Sequence, residues 1–328
     1  MKAKLPMRNV SLLLASTLFA MGLSACTSSS PTPTITAAGG ADCVIIDTDF
    51  DIDDMMAIPP MIGTTNVVAV LVTEGYSRAP EGAAAAEVFL ANTEPRLRPP
   101  VLQGASYAGQ VDFTAMPWIP QIRASMERVN GLLSTTLQPS PATVSYTAAL
   151  EKATGQCHSV DVVVIGAFTS FVTYSPVIGS KIAKVIMQGK PLMGDSTQPA
   201  GKISFNCEFD LPACEKAFTQ LAKYDAVWVD VPRGTTPPYS PTAAMVSALK
   251  DVGLPGTLKA ALNATPANWR EDLLVNGNKS LLWDQSAALY LSHPQEFAKV
   301  GGHWETTLSP AAFQAQWTRD SNATVPPQ

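Results

Sequence analysis

Residues 43–54 read CVIIDTDFDIDD. Four consecutive apolar positions, Cys43 to Ile46, run into five aspartates: Asp47, Asp49, Asp51, Asp53 and Asp54. An unbroken apolar run of this length suits a strand buried on both faces, as in a parallel sheet covered by helices. Five carboxylates directly beyond it repel one another, and a cation or a dense set of donors is needed to offset them. Asp47, Asp49 and Asp51 share the parity of an extended chain, whereas Asp53 and Asp54 fall on the first turn of a following helix, where negative charge is favoured. Hard oxygen ligands of this kind suit calcium or magnesium. An EF-hand loop starting at Asp47 would need Gly and Glu where Ile52 and Ile58 stand. A strand followed by Asp-x-Asp also resembles the haloacid-dehalogenase phosphatases, with Asp47 as nucleophile and Asp49 as acid, but Asp51 is foreign to that pattern.

The rest of the chain repeats the first rhythm. A helix is expected from Ile52, stopped or kinked by Pro59 and Pro60. Apolar strands are expected at Val67 to Val72, Val101 to Leu102, Val160 to Ile165, Ile182 to Met187 and Ala226 to Val229, and a closing strand around Phe297 to Leu308. Helices are expected between them, at 81–92, at 143–153, up to Pro176, and at 211–223 with Asp210 as N-cap. Further helices follow near 241–250, 254–262 and 282–291. The stretch from Ser106 to Ser140 carries no clear periodicity, and residues 189–202, GKPLMGDSTQPAGK, form a glycine-punctuated loop of the length usually reserved for function. The fold class is therefore α/β: a mainly parallel central sheet flanked by helices, Rossmann-like, in a single domain. In such sheets, ligands sit beyond the carboxyl ends of the strands.

Composition limits the function classes. The chain has 328 residues, 46% of them hydrophobic and only 15% charged, enough for a large buried core without disulfides. A net charge of -5 gives no broad basic face, so nucleic acid is not an expected partner. Only 3 His are present, which argues against a His-rich zinc cluster.

The first 26 residues carry Lys2, Lys4 and Arg8, then an apolar run from Val10 to Leu23, then Leu23-Ser24-Ala25-Cys26. The run is too short and too interrupted to span a membrane, and it reads as a targeting segment. Its end resembles a bacterial lipobox, which implies cleavage after residue 25 and acylation of Cys26; Thr27 in the next position implies outer-membrane routing. Removing 1–25 removes three basic residues and no acidic ones, so the net charge moves from -5 to -8. Residues 26–41 are expected to form the acylated Cys and a Ser/Thr/Pro-rich flexible linker, 42–316 the single α/β domain, and 317–328 a C-terminal tail. The expected location is the cell envelope, lipid-anchored at the outer membrane and facing the periplasm. Disulfides are permitted there. The sequence does not give the pairing of Cys43, Cys157, Cys207 and Cys214; the last two are close enough for a local bridge, and buried thiols are the alternative.

The stretch IIDTDFDIDDMMAI resembles the N-terminal signature of the inosine-uridine preferring nucleoside hydrolase family, DTDxGxDDAxA. VVVIGAFTSF, ISFNCEFDLPACEKAF and LLWDQSAALYLSHP resemble three later family segments in order and spacing, so the resemblance spans roughly 43–308. It implies calcium-dependent hydrolysis of the N-glycosidic bond of a small nucleoside or riboside, and one bound Ca2+. Its ligands would be the carboxylates of Asp49, Asp54 and Asp284 and the backbone carbonyl of Thr169. Asp49 would also be the general base, Asp53 would accept hydrogen bonds from ribose hydroxyls, and Asn206 would hold the sugar. Asp47 is expected to support the neighbouring loop by accepting backbone hydrogens, and Asp51, where the family has Gly, has no assigned role.

Three contacts depart from the family pattern. Ser204 replaces a Glu, Tyr76 replaces an Asn that reaches the sugar, and Trp283 replaces a His linked to leaving-group protonation. All three are carried forward as substrate-binding positions, with Tyr76 and Trp283 able to stack on an aromatic aglycone. His158, His293 and His303 stand at no family position. The other expected partner is a lipid membrane, through Cys26; a homo-oligomer is compatible with the sequence.

Overall fold

A computed structural model describes residues 42–107, 109, 119–133, 145–189, 204–265 and 280–326. The targeting segment, Cys26, the linker and nearly all of the loop at 189–202 lie outside the described residues. Eight strands form one sheet: β1 (Cys43–Thr48), β2 (Val67–Val72), β3 (Val101–Gln103), β4 (Val160–Val164), β5 (Ile182–Gln188), β6 (Asp225–Val229), β7 (Phe297–Val300) and β8 (His303–Thr306). Their order is β3-β2-β1-β4-β5-β6-β8-β7. All neighbours are parallel except the hairpin β7–β8. The closing strand expected over 297–308 is thus two short antiparallel strands, because Gly301 adopts φ 59° and reverses the chain.

Helices lie between the strands, beginning with α1 (Ile52–Thr64), α2 (Ala79–Leu90), α3 (Ile119–Leu133), α4 (Tyr146–Ala153) and α5 (Phe171–Ile178). They continue with α6 (Phe205–Glu208), α7 (Leu211–Leu221), α8 (Ala243–Ser247), α9 (Gly253–Ala264), α10 (Trp283–Ser292) and α11 (Pro310–Asn322). Asp210 caps α7 as expected, accepting from the Ala213 N–H at 3.2 Å. Two apolar clusters cover the two faces of the sheet. Ile46, Val70, Val163 and Ile186 point into one, and Ile45, Leu71, Val162 and Val185 into the other, the alternation of consecutive strand positions.

Helix α1 does not stop at Pro59 and Pro60. Pro60 has no N–H for the carbonyl of Met56, one turn earlier, and an unpaired carbonyl at a buried position is costly. The indole Nε1–H of Trp317 supplies that bond at 2.8 Å. Trp317 is fully buried on α11, so the tail expected from 317 is instead the second half of a core helix, and the boundary at 316 cuts through it. Both disulfides form, Cys43–Cys157 and Cys207–Cys214. Among the described residues, no helix is long and apolar enough to cross a membrane.

Candidate active site

The chain order reverses at β1, which has β2 on one side and β4 on the other. Beyond the carboxyl ends of adjacent strands at such a switch point lies the crevice where open α/β sheets bind ligands. Asp47 and Thr48 end β1, and Phe50 then adopts φ 50°, a left-handed conformation uncommon for a bulky residue. This turn folds Asp49 back from the strand and starts α1. Phe50 is fully buried with its ring edge-on to Phe89, 5.8 Å between centroids, which holds the turn in place.

Asp51 is the N-cap of α1: its Oδ1 accepts from the Asp53 N–H at 2.9 Å, and Asp54 Oδ2 accepts from the Asp51 N–H at 3.3 Å. The residue that stands where the family has Gly therefore closes a capping box. One carboxylate oxygen from each of Asp51, Asp53 and Asp54 lies within 4.8 Å of the others. Asp49 is within hydrogen-bonding reach of Asp54, and the Thr48 hydroxyl donates to Asp54. Asp284, in the first turn of α10, is 3% exposed and electrostatically coupled to Asp53, Asp54, Asp51 and Asp49. Residues more than two hundred positions apart are thereby brought to one place, and Gln285 links them further by donating from Nε2 to the Asp53 carbonyl at 3.0 Å.

Burial raises all of these carboxyls, and their mutual repulsion adds to it. Asp49 is pushed up to about 6 and Asp51 to about 7; Asp53, Asp54 and Asp284 are raised well above the ordinary range. Acids gathered this closely, each raised by burial and by its acidic neighbours, are poised for a divalent cation. Asp47 is different. It accepts from the Thr73 hydroxyl and faces Tyr174, not the backbone N–H groups expected for it, and burial pushes it up to about 7. It ties β1 to the loop after β2 through side chains, because the β1 and β2 backbones already satisfy each other.

The remaining expected residues line the same edge. Oδ2 of Asp49 accepts from the Tyr76 N–H at 2.7 Å. The Tyr76 ring stacks on Phe205 with centroids 3.8 Å apart and planes 2° apart. Asn206 is buried and donates from Nδ2 to the carbonyl of Ile165, just past β4, at 2.7 Å. The Thr169 hydroxyl donates to Asp210 Oδ2 at 2.8 Å, which ties the turn after β4 to the start of α7. Oγ of Ser204 is buried with no hydrogen-bond partner among the described residues. Trp283 is half-buried at the start of α10 and packs against the larger apolar cluster. The sequence reading missed Gln285 and Phe205, the partner of the Tyr76 ring; their roles depend on neighbours distant in sequence. His158, His293 and His303 engage Asp42, Asp320 and Glu305, away from the acids.

With this geometry in view, the similarity to solved structures is informative. A purine-preferring ribonucleoside hydrolase from Gardnerella vaginalis superposes with TM-score 0.63 at 17% identity, over 86% of this chain and 99% of that one. The fold is that of nucleoside hydrolases. A plant nucleoside hydrolase matches with TM-score 0.59 at 18% identity, over 87% and 100% of the two chains. An inosine-uridine preferring nucleoside hydrolase from Bacillus anthracis matches with TM-score 0.57 at 12% identity, over 86% and 99%. No protein-family model matches the chain, and no curated protein matches it in sequence.

Proposed function

We propose that the domain hydrolyses the N-glycosidic bond of ribonucleosides or related ribosides, releasing base and ribose, with calcium as its metal. The observation that carries this reading is the convergence of Asp49, Asp51, Asp53, Asp54 and Asp284 at the switch point of a nucleoside-hydrolase fold. The carboxylates of Asp49, Asp54 and Asp284 fit a hard cation: all oxygen, each buried, and mutually repelling without one. Asp49, Asp54, Asp284 and the Thr169 carbonyl would hold it. When bound, calcium supplies positive charge that orients and acidifies a water molecule.

The chain's own groups do the rest. Asp49 serves as general base, its carboxylate steadied by the Tyr76 N–H. Asp53 accepts hydrogen bonds from ribose hydroxyls, and Asn206 and Ser204 hold the sugar. The breaking bond leaves an oxocarbenium-like sugar, and surrounding carboxylates stabilise its charge. Trp283 can stack on an aglycone or donate one hydrogen bond, but a neutral indole does not deliver a proton as an imidazolium would. The aglycone must then leave readily or draw its proton from water or another acid.

The test is product analysis with calcium-loaded protein on a panel of nucleosides and on a nitrophenyl riboside, looking for free base or nitrophenol together with free ribose. Asp49→Asn should lower turnover at least about 100-fold on both substrate kinds. Near-normal turnover of the calcium-loaded variant would refute the mechanism. A wild-type protein that binds calcium and cleaves none of these would turn the reading to another glycoside or to ligand binding alone. For location, we propose a lipid-anchored envelope protein; Cys26→Ala should abolish lipid labelling, and unchanged labelling would exclude the anchor.

A further inference from the structure

We infer that Arg123 is a positioning residue for this site, acting on Asp49 through the peptide group that joins Gly75 to Tyr76. The inference rests on the hydrolase reading above and names a residue that neither the family motifs nor the acid cluster includes. Arg123 lies on α3, in the stretch where the sequence showed no periodicity. Its Nη2 and Nε donate to the Gly75 carbonyl at 2.9 and 3.2 Å, and Nη2 also meets Glu74 Oε1 at 3.1 Å. The other oxygen of Glu74 accepts from the Tyr107 N–H at 3.2 Å. The guanidinium lies 5.6 Å from the centre of the Phe209 ring. One cation thus joins the loops after β2 and β3 to the junction of α6 and α7.

The Gly75 carbonyl and the Tyr76 N–H belong to the same planar peptide. Arg123 grips its oxygen, and its hydrogen points at Oδ2 of Asp49, 2.7 Å from the nitrogen. A trans peptide directs these two groups in opposite directions, so fixing one fixes the other. The positive charge also polarises the peptide and strengthens the bond to Asp49, as in any hydrogen-bonded chain. Both side chains of the Arg123–Glu74 pair are only 13% exposed, so solvent screens the pair weakly and water does not readily replace it. Arg123 therefore sets the orientation of the carboxylate that the reaction uses, and through Tyr76 it sets the ring that stacks on Phe205, next to Asn206.

The test compares Arg123→Met, Arg123→Lys and Glu74→Gln in the calcium-loaded protein, by steady-state kinetics and by amide hydrogen exchange resolved to residues 74–77. Arg123→Met should lower kcat/KM by about 10- to 100-fold, the scale of a misplaced reacting group. KM should rise as well as kcat fall, because the Tyr76 ring moves with its peptide, and exchange at Tyr76 should speed up while the strands keep their protection. Arg123→Lys keeps the charge without the fork and should recover part of both effects. Glu74→Gln leaves the grip on Gly75 intact and should stay near wild type at Tyr76; if Arg123→Met does not fold, Arg123→Lys decides, because a lysine variant with wild-type exchange at Tyr76 and unchanged KM would overturn the inference. A folded Arg123→Met with wild-type exchange at Tyr76 and unchanged KM would overturn the inference, as would exchange rising uniformly through the domain. If the wild type cleaves no riboside, the hydrolase reading fails, and the exchange data alone decide whether Arg123 orients this peptide.

Discussion

A β-carbon on Gly75 would lie 2.2 Å from Oδ2 of Asp49 and 2.6 Å from its Cβ. The loop after β2 thus approaches the expected general base more closely than any residue with a side chain permits. On the other side, a β-carbon on Gly166 would lie 2.6 Å from the Asp49 nitrogen. Asp49 is held in a slot between two glycines, one beyond β2 and one beyond β4.

Gly75→Ala should therefore act on the proposed reaction and not only on folding. The added methyl must push Asp49 or the Tyr76 N–H out of place, and kcat/KM should fall by about 100-fold, the scale of an ångström misplacement. Kinetics with circular dichroism as a check on folding will show it. A folded Gly75→Ala enzyme with wild-type kcat/KM would mean that the slot is not needed.

Metal removal should make stability fall as pH rises. Burial pushes the Asp47 and Asp51 carboxyls up to about 7 and Asp49 up to about 6, against 3.8 ordinarily. Between those values the folded state holds more protons than the unfolded state, so stability decreases with rising pH. Calcium at the proposed site would bind the ionised carboxylates and should reverse this toward neutrality. Thermal melting in chelator should show a lower Tm at pH 8 than at pH 5, and added calcium should raise the pH 8 value most. A Tm that climbs from pH 5 to pH 8 in chelator would contradict the raised carboxyls.

Asp51 should separate capping from charge. Asp51→Asn keeps an oxygen for the Asp53 N–H and removes one negative charge, so the metal-free protein should be at least as stable as wild type. Asp51→Ala loses the cap, at about 1 kcal/mol. Asp54→Asn should weaken calcium binding, measured by titration calorimetry, far more than Asp51→Asn. Equal losses would make Asp51 a ligand of the same rank.

Trp317→Phe should be destabilising by about 1–3 kcal/mol, because the Met56 carbonyl opposite Pro60 loses its donor. Urea unfolding monitored by far-ultraviolet circular dichroism will measure it. Unchanged stability would show that the carbonyl finds another partner.

Much of this protein was legible along the chain, because the signals are local. The apolar runs of β1, β2 and β4, the Asp210 cap and the acids on the first turn of α1 each depend on residues within a few positions of one another. Strand order was not legible in that way, yet a parallel sheet with helices on both faces already implied that chemistry would gather at the carboxyl ends.

The tertiary structure alone decided what touches Asp49 and what completes α1. Arg123 reaches Gly75, Tyr76 stacks on Phe205, Gln285 reaches Asp53 and Trp317 reaches Met56, and in each pair the partners lie on different elements. A proline inside a helix signals a missing bond, but not which distant indole will replace it. An arginine in an aperiodic stretch carries a charge, but not the address of the carbonyl it will hold. Those assignments come from packing, where burial makes every unpaired polar group costly and so selects, among all donors in the chain, the ones that the fold brings within reach.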